Sequence, residues 1–298
     1  MNKRFVRFTM AVAFLVIAVG GGRAAESAAT GKRLFLWRIK SAKSTAYVLG
    51  SIHVAKPQMY PLDPRIEKAF QNADVLVVEA NASPEKMGGM ALQLMMRASY
   101  PPEDSLEKHI SKDVCDATIA RVAKFGLPAA QARQMKPWIL GMTITLAELQ
   151  RLGIDPMYGL DMHFLQTAKD KPITELEGAE EQINLLDGLS DKQQEDFLKY
   201  TLKDVDNIAR NVDELITSWA TGDAKKLEEF VLQAVKESPD LQPLFVKLFD
   251  ERNKQMAAKI ETLLQTGKTY FIVVGAGHLV GKTGLLELLG KNHIVEQM

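Results

Sequence analysis

Two histidines in this sequence occupy the same local setting. His53 closes YVLGSIH at 47–53, and His278 closes IVVGAGH at 272–278. Each follows an apolar, strand-like run, a glycine and two further residues, and a helix is expected after each. Glycine at a strand end lets the chain turn sharply. The two imidazoles would then emerge at equivalent points on one edge of a sheet, where ligands collect in open α/β folds. The chain has five histidines, so the repeated setting points to a shared site. The alternative is that both are satisfied structural groups at strand ends.

Glu79 ends another apolar run, DVLVVE. If that strand runs parallel to residues 47–49, Glu79 joins His53 and His278. Two histidines and a carboxylate form a ligand set for a divalent metal and leave coordination positions for water. Water held there becomes a hydroxide-like nucleophile near neutral pH. The alternative for Glu79 is an isolated carboxylate at a strand tip. Other residues read less sharply. Asp161, after Gly159 in YGLDMHF, reads as a cap or as a group at the core edge. His163 lies two residues on and reads as structural or exposed. Glu175 and Glu177 flank Leu176, so on a strand both point the same way, toward a site or onto a solvated face. Arg252 and Asn253 read either as a pair bridging ligand and carboxylate or as exposed helix surface.

These residues need elements to carry them. Runs at 34–39 and 46–49 suggest a hairpin. Asp63-Pro64 marks a helix start, with aspartate as cap and proline in the first turn, and the helix should end near Asn72. Residues 74–79 form a buried strand. Helical patterns cover 84–97, 111–125, 128–152, 178–188, 190–221, 223–236 and 240–265. Strands are expected at 173–177, 269–274 and 293–295, and a helix at 283–289. The fold class is α/β (α+β): a central sheet with two strand–helix units bearing the GxxH motif and a large helical middle insertion. Residues 25–298 read as a single domain, with a helical cap at roughly 84–265.

Composition removes several functions. Lys+Arg and Asp+Glu both number 37, so no net positive field draws in nucleic acid. The one cysteine, Cys115, excludes an intrachain disulfide and multi-cysteine metal cages. It reads as a buried small hydrophobe. Gly281-Lys282-Thr283 resembles the end of a phosphate loop, but Ala276 stands where that loop requires glycine. Neither HExxH nor GxSxG occurs.

Residues 1–24 have the layout of a secretory signal. Lys3, Arg4 and Arg7 form a basic head, a short apolar run follows, and small residues surround Ala24. The apolar run falls short of the ~20 residues of a membrane span; the alternative is an uncleaved N-terminal anchor. Removal of residues 1–24 leaves 33 basic and 37 acidic groups, a formal charge of −4. The expected location is periplasmic or secreted, with no integral membrane domain.

LGSIHV, VVEA, GLDMHF, LEGxEEQ at 176–182, ERNKQM and VVGAGHLVGKTGLLELLG together resemble the TraB/PrgY/GumN family, in order, from about residue 34 to the C-terminus. That family includes the Tiki proteins, metal-dependent proteases acting on Wnt. The resemblance implies an α/β fold with two related halves around a metal-bearing cleft. It makes His53 and His278 the motif histidines and Glu79 the acidic residue after the third strand. Asp161 and Glu177 match its GxD and LE segments, and Arg252-Asn253 its RN pair. Gly178 stands where a threonine is usual, which removes a hydroxyl near the site.

The resulting expectation is an extracytoplasmic metal-dependent hydrolase, in the first place a peptidase. His53, Glu79 and His278 would hold Mn²⁺, Co²⁺ or Zn²⁺. Arg252 would stabilise developing negative charge, and Glu177 would act as general base or orient a histidine. Asp161 and Asn253 would contact a peptide or small envelope substrate. The alternative is a noncatalytic protein that captures a peptide or small ligand in the same cleft. Intact-mass measurement on protein from its native envelope should find a chain beginning within a residue or two of Ala25. A mature chain beginning at Met1 would overturn the signal reading.

Overall fold

The computed structural model of the protein describes residues 33–53, 59–154 and 158–298; the expected signal segment lies outside them. The first expectation is met closely. Strands β1 (Leu36–Lys40) and β2 (Thr45–Ser51) pair antiparallel as a hairpin. Helix α1 (Pro64–Gln71) starts where the sequence marks it, with the Asp63 carboxylate accepting from the Arg65 amide and proline in the first turn. Strand β3 (Val75–Val78) is buried throughout.

A helical stretch follows. It comprises α2 (Pro84–Ala98), α3 (Lys112–Ala123), α4 (Ala129–Arg133), α5 (Pro137–Arg151) and α6 (Leu160–Thr167). Strand β4 (Ile173–Glu175) then joins the sheet, and α7 (Ala179–Asp187), α8 (Asp191–Asp204), α9 (Ile208–Ala220) and α10 (Ala224–Glu237) follow. After α11 (Gln242–Phe245) the chain makes a π-helical turn at Val246–Asp250 and enters α12 (Glu251–Leu263). Strand β5 (Thr269–Gly275), α13 (Ala276–Leu279), α14 (Leu285–Gly290) and β6 (Ile294–Gln297) complete the described chain.

Several expected helices are divided. The run at 128–152 breaks before Pro137, which opens α5 because proline is tolerated at a helix start and not in its interior. The run at 190–221 breaks at a 3₁₀ turn, Val205–Asn207. Helix α6, with Gly159 as a cap that supplies no side-chain bond, was not expected. The middle of the chain is also more than a cover. It contributes β4 to the sheet, and α12 buries Met256 and Ile260 in the main core. A second apolar cluster lies away from the sheet, built on Val114, Cys115, Leu140, Ile144 and Leu198 of α3, α5 and α8.

The six strands run in the order β4-β3-β5-β2-β1-β6. The pairs β4/β3, β3/β5 and β5/β2 are parallel, and β1 is antiparallel to both β2 and β6. The mixed sheet confirms the α/β class. β3 and β2 therefore flank β5 with all three pointing the same way, so their carboxyl ends share one edge. Ser51 is opposite Gly275, and Val78 is opposite Val273. Among the described residues no helix is long and apolar enough to cross a membrane.

Gly275 ends β5 and caps α13, so the chain turns there as expected, whereas Gly50 lies within β2 and makes no turn. Neither has a positive φ, and Gly50 is a place of close approach. A β-carbon on Gly50 would enter the ring of Phe35 and come within 3.0 Å of Leu279 Cδ1. Phe35 is 1% exposed and cannot move aside freely. Gly50→Ala should therefore destabilise the protein by about 1–3 kcal/mol, the usual cost of overpacking. The urea midpoint should fall with an unchanged slope; an unchanged midpoint would show that the ring yields.

Candidate active site

β2, β5 and β3 deliver Ser51, Gly275 and Glu79 side by side, and the segments beyond these strand ends add the rest. A β-carbon built on Gly275 would lie 3.4 Å from His53 Nε2, 3.4 Å from Glu79 Oε2 and 3.3 Å from His278 Cδ2. The structure thus brings His53, Glu79 and His278 around one point, and glycine at 275 keeps that point open.

Each imidazole is gripped from behind. His53 Nδ1 lies 2.8 Å from Asp161 Oδ2, and the Ser51 hydroxyl donates to the same oxygen. Burial works against a charge on His53, but Asp161 outweighs it and lifts the pKa to about 9. His278 Nδ1 lies 2.6 Å from Asn253 Oδ1. The Asn253 amide group donates to the Thr283 carbonyl at 2.9 Å. A carbonyl can only accept, so the Asn253 oxygen must face His278, and His278 must carry its proton on Nδ1. Burial, with Arg252 nearby, lowers the His278 pKa to about 3. His278 is therefore a neutral imidazole with its Nε2 lone pair available.

Glu79 is 4% exposed and ionised. Burial opposes its charge, but Arg252 above all holds its pKa down to about 2. Arg252 Nη2 donates to Glu79 Oε1, Gln182 donates to the same oxygen at 2.8 Å, and the Gly275 amide donates to Oε2 at 3.0 Å. Arg252 also forks onto Glu177, Nε to Oε1 at 2.9 Å and Nη2 to Oε2 at 2.7 Å. Its Nη1 donates to the Leu248 carbonyl at 2.9 Å.

All seven residues singled out in the sequence enter this constellation, but in two layers. His53, Glu79 and His278 meet at Gly275. Asp161, Asn253, Arg252 and Glu177 stand behind them. Substrate contact is the expectation for Asp161 and Asn253; in the structure both bond to the imidazoles. Glu177 lies across Arg252, on a polar cleft that also holds Gln182, Lys247 and Lys259. Sequence reasoning gave no site role to Ser51, which lies inside the GSIH motif, or to Gln182, which closes the family-like LEGxEEQ segment and otherwise reads as the first turn of a helix. The other three histidines bond carboxylates elsewhere: His109 with Asp104 and Asp191, His163 with Glu67, and His293 with Glu261.

The donor chemistry fits a divalent ion. His278 offers a free Nε2, and His53 offers Nε2 once deprotonated. Each ring is fixed through Nδ1 by an oxygen acceptor, the usual arrangement behind metal-bound histidine. Glu79 Oε2 accepts one hydrogen bond and has capacity for another partner. The donors converge without closing: His278 Nε2 stands 3.8 Å from Glu79 Oε1, and among the described residues no group of three or more His, Cys, Asp or Glu is placed closely enough to hold a metal ion as it stands. An apolar cleft lined by Ile52, Leu215, Val231 and Phe249 opens beside both histidines.

Comparison with known proteins agrees with this frame. The TraB/PrgY/gumN family profile matches residues 35–297. The chain is 30% identical over 256 residues to the uncharacterized protein YbaP of Shigella flexneri, covering 82% of this chain and 87% of that protein. The YbaP of Escherichia coli K12 is equally similar, at 30% over 255 residues and the same coverage. The zebrafish protein named Metalloprotease TIKI1 is 24% identical over 307 residues, covering 86% of this chain and 61% of that protein. No solved structure matches.

The two histidines should titrate in opposite senses. In chelator-treated protein, imidazole ¹⁵N NMR should find His278 neutral at neutral pH with its proton on Nδ1. His53 should stay doubly protonated until the pH approaches about 9. Histidine in the unfolded chain titrates near 6.5, so the folded value is raised. The stability from the His53 charge is then complete below 6.5 and fades as the pH rises through about 9. Asp161→Asn should return the His53 titration toward 6.5; an unmoved titration would remove Asp161 as its cause.

Proposed function

The chain belongs to the TraB/PrgY/gumN family, and from that premise we propose that it is a metal-dependent hydrolase of peptides working outside the cytoplasm. The convergence of His53, Glu79 and His278 on the open point at Gly275 carries this reading. The name of the zebrafish relative supports the chemistry, and the signal-like N-terminal sequence supports the location.

His53 and His278 would hold the ion through Nε2, and Glu79 through Oε2. A first-row divalent ion such as Mn²⁺, Co²⁺ or Zn²⁺ suits this mixed set of imidazole and carboxylate. When bound, such an ion supplies Lewis acidity and lowers the pKa of its water. The chain's own residues do the rest. His53 must give up its Nε2 proton to act as a ligand, so loading releases a proton. Asp161, with Ser51 behind it, keeps His53 Nδ1 protonated and the ring aimed. Asn253 does the same for His278. Arg252 and Glu177 fix Glu79, so both are read as positioning residues. Their mutual fork favours this over the charge-stabilising and general-base roles expected from sequence.

Metal analysis joined to a peptide-library cleavage assay tests the reading. Purified protein given Mn²⁺, Co²⁺ or Zn²⁺ should bind one ion and cleave; chelation should abolish cleavage, and readdition should restore it. His53→Ala and His278→Ala should each lower cleavage at least ~100-fold, as loss of a group essential to transition-state stabilisation does, with unchanged circular dichroism. Cleavage that survives in either variant would sink the mechanism. Peptide binding without any cleavage would identify a capture protein instead.

A further inference from the structure

The cleft beside the two histidines has walls from five separate segments. Ile52 comes from just past the end of β2, Leu215 from α9, Val231 from α10, Phe249 from the π-helical turn and Gly277 from α13. No lysine, arginine, aspartate or glutamate lines it, and its polar side chains are Ser51 and the histidines themselves. The charged cleft across Arg252, with Lys247, Lys259 and Glu251, differs in kind.

We propose that this apolar cleft is the subsite for one apolar side chain of the peptide substrate, seated next to the reacting bond. The assignment of peptide as substrate rests on the function proposed above; the apolar preference rests on the walls. The cleft shares His53, Gly275 and His278 with the reactive centre, so whatever fills it lies against that centre. A lysine entering it would lose water and find no carboxylate on the lining, and a glutamate would meet only the histidines of the centre. An apolar one would gain from burial in proportion to its area.

Gly277 packs directly on this wall. Its φ is not positive, so its backbone does not call for glycine. Space does. A β-carbon there would stand 3.0 Å from Phe249 Cε1 and 3.5 Å from Val231 Cγ2, two side chains that line the cleft. Phe249 is itself braced, stacked on Phe245 at 4.6 Å and tilted against His278 at 5.1 Å between ring centroids. The wall that sorts side chains therefore also touches a histidine of the centre.

The test uses the full protein and blocked tetrapeptides, Ac-Gly-Xaa-Gly-Gly-NH₂, with Xaa as Ala, Leu, Phe, Lys or Glu. Affinity is read by calorimetry and cleavage by mass spectrometry. The Leu or Phe peptide should bind at least about tenfold more tightly than the Ala, Lys and Glu peptides, an apolar burial effect. Gly277→Val should erase that preference. Leu215→Glu, at a half-buried wall position better able to tolerate the change, should weaken the Leu and Phe peptides about tenfold. Equal affinities, a preference for Lys or Glu, or no measurable binding of any peptide would overturn the subsite. Apolar preference without cleavage would leave the subsite standing and defeat the hydrolase reading. Cleavage without apolar preference would do the reverse.

Discussion

A carboxylate at the end of a buried apolar strand stays ionised only if the protein surrounds it with positive charge and hydrogen-bond donors. Glu79 makes that demand, and Arg252 is the chief answer. One guanidinium spans Glu79 and Glu177 and is anchored on the Leu248 carbonyl. A single cation thereby ties the tip of β3, the segment after β4 and the start of α12. Lysine could not do this, because it lacks a planar fork of donors. The adjacent Asn253 then falls within reach of His278. The same stretch of helix thus fixes the carboxylate and one imidazole.

The second constraint is parallel pairing. β2 and β3 lie on either side of β5 and run with it, so three chain segments leave the sheet at one edge. The two GxxH motifs sit in neighbouring strands, one residue out of register: Gly50 faces Val274, and Ser51 faces Gly275. That offset gives the two glycines different work. Gly50 admits the Phe35 ring and the Leu279 side chain, whereas Gly275 leaves space among His53, Glu79 and His278. The repeat in sequence is therefore not a symmetric repeat in function. Even the GKT tripeptide is absorbed locally: the Thr283 carbonyl orients Asn253, and its hydroxyl donates to Asp250 at 2.6 Å.

The parts of the fold legible in the sequence were those with local causes. Asp63-Pro64 marks its helix by capping and a fixed φ, and the four apolar residues before Glu79 mark a buried strand. The pairing of His53 with His278 was legible because rare residues recurred in one context. Other features depend on distant partners. No local pattern separates the 3₁₀ turn at Val205–Asn207 or the π turn at Val246–Asp250 from regular helix, because packing imposes them. Asp161 and Asn253 stand out in the sequence as polar groups near a site, but their partners come from elements 108 and 25 residues away. Their placement behind the imidazoles could not be read from spacing. Gln182 is harder still, since its two acceptors, Glu79 and Glu177, are neighbours only after β3 and the segment following β4 align.

The π turn links these constraints. A π-helical turn places one extra residue in a helical run, so it rotates the later part of the helix relative to the earlier part, and such turns recur at functional sites. Here the turn leads directly into Glu251, Arg252 and Asn253. Its own Phe249 borders the apolar cleft, while Arg252 and Asn253 take the sheet edge, although only three and four residues separate them. In a regular helix, residues at that spacing share a face. The widened turn supplies the adjustment that lets a single helix carry the cleft wall, the carboxylate's cation and the histidine's acceptor.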